Sequence, residues 1–168
     1  IKVIEQLLSF ASPFSPVKTR IVATEALRRM ENADLLIKEV QHLFSLNIEI
    51  LSGSEEAFFI ASGLLTDPAL EEVSQFCAID LGGGSLEIMR IRNGACESVK
   101  SLPLGAVVLA EEFLGNLENK PAQQDRIRLQ NYVSTTLANS CTALLQDCSH
   151  LVGSGGSIVF LRQLISST

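Results

Sequence analysis

The sequence predicts an α/β fold in two lobes, and three observations carry that prediction. Through residue 65, short apolar segments alternate with helical patterns, the rhythm of a parallel sheet. From Phe76 onward the pattern changes to strands joined by glycine turns, an antiparallel meander. The chain of 168 residues is 46% hydrophobic and 19% charged, so it can bury a core, and disorder is excluded.

The elements follow in order. Residues 1–10 form an amphipathic helix with Val3, Ile4, Leu7 and Leu8 on one stripe, which Ser12 to Pro16 breaks. Arg20 to Ala26 is rich enough in β-branched residues for a buried strand. Ala33 to Phe44 has helical periodicity through Leu35, Leu36, Val40 and Leu43, and Asn47 to Leu51 alternates as a strand. Residues 55–65 form a helix that is apolar almost all round, as a connector buried between two lobes would be.

Thr66 to Ser74 is polar and contains Pro68, which places the first lobe at 1–72 and the second at 73–168. Phe76 to Leu81, Leu86 to Arg92 and Ala95 to Leu102 are the strands of the meander. Gly82 to Ser85 joins the first two strands, and Asn93-Gly94 is a strong hairpin signal between the second and third. Val107 to Leu114 is ambiguous between strand and helix. Residues 124–146 form a long helix with Ile127, Val133, Leu137, Cys141, Leu144 and Leu145 inward. Leu151-Val152 is a short strand, and Gly153 to Ser157 leads into a last helix from Ile158. The chain opens and closes abruptly inside helical patterns, without a signal-peptide pattern, and both ends are expected to be cuts within a longer protein.

The formal net charge is −6. That balance argues against nucleic acid or an anionic membrane as the main partner, because both recruit Lys and Arg. No stretch approaches the roughly 20 apolar residues needed to cross a bilayer. Cys77, Cys96, Cys141 and Cys148 show no C-x-x-C spacing. Cys141 and Cys148 would stand roughly 10 Å apart along a helix, too far for a disulfide. Buried, reduced thiols in a cytosolic protein are therefore expected. His42 and His150 are lone, which disfavours a His/Cys zinc site.

The segment Asp80-Leu81-Gly82-Gly83-Gly84-Ser85-Leu86-Glu87 carries the chemistry. Three successive glycines are costly in backbone entropy and imply close approach of another atom. A hairpin folded about Gly83-Gly84 sets Asp80 opposite Glu87. Like charges directly opposite repel, unless a hard cation such as Mg²⁺ or Mn²⁺ sits between them. Bare amides at Gly82, Gly83, Gly84 and Ser85 offer a nest for phosphate oxygens. Cation and amides together would offset charge on a transferring phosphoryl group. The alternative is a glycine-rich turn with two exposed carboxylates.

Ser52 and Glu55 fit a capping box, which gives Glu55 a structural role. Glu56 is left over in the first turn, where a carboxylate facing a cleft could take a proton from water. A solvated first-turn glutamate is the competing reading. Gly153, Gly155 and Gly156 lie at a strand–helix turn suited to phosphate, although such turns are common. Arg28 could reach an anion or sit on the surface beside Arg29.

VATEALR (22–28), ILSGSEEA (50–57), AIDLGGGSLE (78–87), SLPLGAV (101–107) and VGSGGS (152–157) occur in this order. Together they resemble the exopolyphosphatase and guanosine pentaphosphate phosphohydrolase family, over nearly the whole chain. That family has the ribonuclease H-like superfold of actin, sugar kinases and chaperone ATPases. The resemblance implies two lobes of mixed sheets flanked by helices, here truncated, in a cytoplasmic enzyme, with a second copy of the chain as a candidate partner in a homodimer.

It also implies roles. Glu56 would activate water, and Asp80 and Glu87 would hold Mg²⁺ or Mn²⁺. Gly82, Gly83, Gly84 and Ser85 would form the second phosphate loop, Gly153, Gly155 and Gly156 a later glycine loop, and Arg28 would contact phosphate. The substrate implied is polyphosphate or a guanosine penta- or tetraphosphate. Three departures stand out. Leu86 replaces the usual Thr, which is expected to remove a hydroxyl near the site. Glu25 replaces a frequent Ser. The family's opening D-x-G-S-N-S-type loop is absent, so this chain alone is expected to be weak or inactive. The other readings are a non-catalytic alarmone or nucleotide sensor, and a kinase or ATPase of the same superfold.

Overall fold

A computed structural model describes residues 1–16, 18–115 and 119–167. The chain divides into two compact units, Ile1–Ser52 and Gly53–Thr168. The expected lobe boundary lay further along, after residue 72.

The first unit holds helix α1 (Lys2–Ala11), strand β1 (Ile21–Ala23), the one-turn helix α2 (Glu25–Arg28), helix α3 (Ala33–Phe44) and strand β2 (Ile48–Ile50). β1 and β2 pair in parallel, Ile21 opposite Ile48. The strand expected over Arg20 to Ala26 ends at Ala23. The Leu27 and Arg28 amides donate to the Thr24 carbonyl and start a turn there, and Glu, Ala, Leu and Arg are all good helix formers. Among the described residues of this unit only Ala33, Val40 and Leu51 are buried apolar residues, while Val3, Leu7, Phe10 and Phe14 are exposed.

The second unit begins with α4 (Gly53–Leu64), followed by β3 (Gln75–Leu81), β4 (Leu86–Arg92) and β5 (Ala95–Leu102). Helices α5 (Ala106–Phe113) and α6 (Gln123–Leu145), strand β6 (Leu151–Ser154) and helix α7 (Gly156–Ser166) complete it. The ambiguous segment from Val107 is thus helical. The sheet order is β5-β4-β3-β6. The first two pairings are antiparallel and β3–β6 is parallel.

Alternation along the strands gives this sheet two apolar faces. On one, Ala57 and Ala61 of α4 pack against Phe76, Ala78, Met89 and Ile91. On the other, Cys141 of α6 joins Leu86, Ile88, Leu102 and Leu104. Helix α4 was expected to be buried on several sides. It buries a narrow stripe instead, with Ala57 and Ala61 inward and Phe58 and Phe59 exposed. Small residues on that stripe bring the helix backbone close to the sheet. Ile127 and Leu145 of α6, expected inward, are also exposed.

The expectation of four reduced thiols is corrected. Cys77 and Cys148 form a disulfide with Cα atoms 5.9 Å apart, inside the range such a bond requires. Cys77 sits on β3 and Cys148 just before β6, and the parallel pairing of those strands brings the two together across a sequence separation of 71. Spacing along one helix could not reveal that contact. Cys96 and Cys141 remain free thiols, both with pKa raised by burial. Among the described residues no helix is long and apolar enough to cross a membrane.

Candidate active site

The β3–β4 hairpin has the register its turn length predicts, with Asp80 directly opposite Glu87. The row continues on both sides. Ser101 of β5 lies opposite Glu87, and Ser154 of β6 lies opposite Asp80. Four neighbouring strands therefore present hydroxyl, carboxylate, carboxylate and hydroxyl in one line. By alternation these residues share the α4 face of the sheet. Each carboxylate accepts a hydrogen bond from the hydroxyl beside it. Ser101 Oγ donates to Glu87 Oε1 at 2.8 Å, and Ser154 Oγ donates to Asp80 Oδ2.

Glu87 is almost wholly buried, at 1% exposure, and so is Ser85, at 4%. Burial pushes the Glu87 carboxyl above the usual carboxylate range. Hydrogen bonds from Ser101 and Ser85 pull it down, and the nearby charges of Glu56 and Asp80 push it up again. Three carboxylates thus share one electrostatic neighbourhood. Glu56 stands in the first turn of α4, and α4 packs on β4 and β5 directly above the row.

The glycine turn is held from one side. Ala106 N–H donates to the Gly82 carbonyl, and Val107 N–H and Val108 N–H donate to that of Gly83. A Cβ on Gly105 would come within 2.2 Å of the Gly84 carbonyl carbon, so only glycine allows α5 to start there. The carbonyls of Gly82 and Gly83 therefore face α5. The Gly82 amide closes the turn onto the Ser85 carbonyl. The Gly83 and Gly84 amides donate to no backbone carbonyl among the described residues, and Gly83 is exposed.

Gly153 lies in β6 opposite Ile79. Gly155 precedes α7 with φ +89°, and its backbone runs against Asp80 and Leu81, with room for no side chain. Gly156 opens α7 and faces open space. The later glycine turn thus comes up beside Asp80. Arg28 belongs to the first unit. Its guanidinium pairs with Glu25 at 2.8 Å and also donates to the Leu51 carbonyl. Glu25, the unusual residue of that segment, is therefore a partner of Arg28. Leu86 needs a correction too. It packs with Ile88, Leu102 and Leu104 on the face opposite the carboxylates, so a hydroxyl at that position would not point toward them.

Sequence reasoning missed Ser101, Ser154, Gly53 and Gly105. Ser154 follows from extending the β3–β6 pairing. Ser101 is hidden by a register shift between Arg90 and Ile91. Counting outward from the Asn93-Gly94 turn sets Lys100 opposite Glu87. One extra residue in β5, Glu97, advances the strand and brings Ser101 there instead. Lys100 is sent to the other face, where its ammonium donates to the Ser140 carbonyl of α6.

The donor set is all oxygen. Among the described residues no group of three or more His, Cys, Asp and Glu side chains gathers into a ready-made metal cage. Two facing carboxylates with flanking hydroxyls suit Mg²⁺ or Mn²⁺, which keep water and take substrate oxygens as further ligands. They do not suit a structural zinc.

The whole length from residue 1 to 167 matches the Ppx/GppA phosphatase family. Among solved structures, the Aquifex aeolicus PPX-GPPA enzyme is similar at 25% identity and a TM-score of 0.78, covering 99% of this chain and 53% of that one. A second structure of the Aquifex aeolicus family member aligns at 26% identity and a TM-score of 0.76, over 98% of this chain and 51% of the other. An exopolyphosphatase from Cytophaga hutchinsonii shares the fold at 20% identity and a TM-score of 0.80, over 97% and 52%. The chain thus spans about half the length of the structures it matches. Its mixed sheets flanked by helices are those of this actin-like fold, and the chain belongs to the Ppx/GppA phosphatase family.

Proposed function

We propose that the full-length protein is a metal-assisted phosphohydrolase that releases the terminal phosphate of a chain of phosphoanhydrides, either polyphosphate or guanosine pentaphosphate. Family membership supports phosphatase chemistry. The observation that carries the finer reading is the row of Asp80 and Glu87, with Glu56 within electrostatic reach.

In this reading Asp80 and Glu87 hold Mg²⁺ or Mn²⁺. When bound, the cation supplies positive charge that offsets charge on the transferring phosphoryl group. The Ser85 and Ser101 hydroxyls fix one Glu87 rotamer and keep its carboxyl oriented. The Gly83 and Gly84 amides donate to phosphate oxygens, and Gly155 lets the later turn approach the same place. Glu56 accepts a proton from the water that attacks the terminal phosphorus. The new bond is from water oxygen to phosphorus. The bond that breaks joins phosphorus to the bridging oxygen, which leaves with the shortened chain. Arg28 is offered as a phosphate contact on the family resemblance alone. We place this activity in the cytoplasm, whose reducing poise the Cys77–Cys148 bond would then face.

Phosphate release by the full-length protein tests this reading. Glu56→Gln should lower turnover about 10²- to 10⁴-fold, the usual worth of a positioned base, with substrate still bound. Unchanged turnover removes Glu56 from its role. Tight substrate binding by the wild type with no release of phosphate selects the sensor instead.

A further inference from the structure

We propose that Ser101 is the positioning residue of this acidic site, and that it sets two things at once: the orientation of Glu87 and the seat of the helix that carries Glu56. This rests on the reading above, in which Glu87 holds the cation and Glu56 the water. The first half follows from the hydrogen bond. Ser101 stands opposite Glu87 in the ladder, and its hydroxyl donates to Glu87 Oε1 at 2.8 Å. A nearly buried carboxylate cannot turn to water for that bond. Partners that orient a ligating carboxylate typically hold 10- to 100-fold of metal affinity.

The second half follows from a contact with Gly53. A Cβ built on Gly53 would lie 2.4 Å from both Cβ and Oγ of Ser101. Helix α4 therefore starts with its first residue pressed against this one side chain. Glu56 follows in the same first turn. Where α4 begins, and so where Glu56 stands above the row, depends on glycine at 53 and nothing larger than serine at 101. The displaced register of β5 is what puts a small hydroxyl residue there rather than Lys100.

The two roles separate experimentally in the full-length protein. Direct Mn²⁺ binding, followed by loss of the free-ion paramagnetic resonance signal, reads the first. Turnover at saturating Mn²⁺ reads the second. Ser101→Ala should weaken Mn²⁺ binding about tenfold or more, and added Mn²⁺ should recover its turnover. Gly53→Ala should lower turnover at least tenfold even at saturating Mn²⁺. Adding Ser101→Gly to Gly53→Ala opens space for the new methyl, so turnover should recover while Mn²⁺ binding stays weak. That split is not expected from mere loss of stability. Wild-type Mn²⁺ affinity in Ser101→Ala overturns the first role, and a double variant no better than Gly53→Ala overturns the second. Glu87→Gln marks the source of a failure. If it abolishes Mn²⁺ binding while Ser101→Ala keeps the wild-type affinity, the inference about Glu87 falls and the cation reading stands. If neither variant affects binding, the cation reading of the site falls and takes the inference with it.

Discussion

The two compact units are built from similar parts to different standards. Each has strands and helices, and each has a parallel strand pair. The unit Gly53–Thr168 packs helices on both faces of a four-stranded sheet and buries Phe76, Ile88, Met89 and Ile91. The unit Ile1–Ser52 has two three-residue strands and leaves Phe10 and Phe14 exposed. So few strands seldom make an independently stable sheet. The facing carboxylates lie in the unit with the dense core. That is the sensible place for them, because a buried carboxylate held off its ordinary pKa needs a scaffold that does not relax around it.

The contrast is sharpest in the core. Phe76 is 1% exposed and Phe14 is 85% exposed. Phe76→Ala should cost about 3–5 kcal/mol in denaturant unfolding, whereas Phe14→Ala should stay within about 0.5 kcal/mol. Equal costs would dissolve the distinction between the units. Next in size is the disulfide, which ties β3 to the segment before β6. Reduction, or Cys148→Ala, should lower stability by about 2–4 kcal/mol. Cys96→Ala, at a free thiol, serves as the control.

A smaller, pH-dependent effect belongs to Glu87. Its folded pKa is raised, so the folded protein keeps the proton over a window in which the unfolded chain has lost it. The resulting stabilisation is fully present below the ordinary glutamate value and is lost as pH rises through the raised one. In metal-free buffer, melting temperatures should show the wild type losing ground to Glu87→Gln as pH rises from acid toward neutral. Parallel pH profiles would refute the burial argument. Smallest of all is the exposed pair of Arg20 and Glu49 in the first unit, two hydrogen bonds of 2.8 and 2.6 Å. Arg20→Ala should cost no more than about 1 kcal/mol, and less at high salt.

Local signals made much of this legible. The meander, the Asp80–Glu87 register and the α/β rhythm all follow from alternation, turn residues and the length of one glycine loop. What escaped was non-local. Nothing near Cys77 announces Cys148, since their meeting depends on β6 joining the sheet beside β3. Ser101 escaped because one additional residue in β5 sets its register and leaves no mark in the pattern of the strand. The resemblance put a hydroxyl near the site in place of Leu86, yet Leu86 points to the face opposite its strand neighbour Glu87. Helix α4 looked buried all round because its composition is apolar, whereas only Ala57 and Ala61 of its apolar residues are fully buried and Phe58 and Phe59 are exposed.

The inserted residue at Glu97 has one more consequence. Deleting it would slide the far half of β5 by a single position and turn the Lys100 ammonium from α6 toward Glu87. A tethered ammonium would then offset one of the two facing carboxylate charges. One codon separates a hairpin whose facing carboxylates have only hydroxyls for partners among the described residues from one that carries a counter-charge of its own.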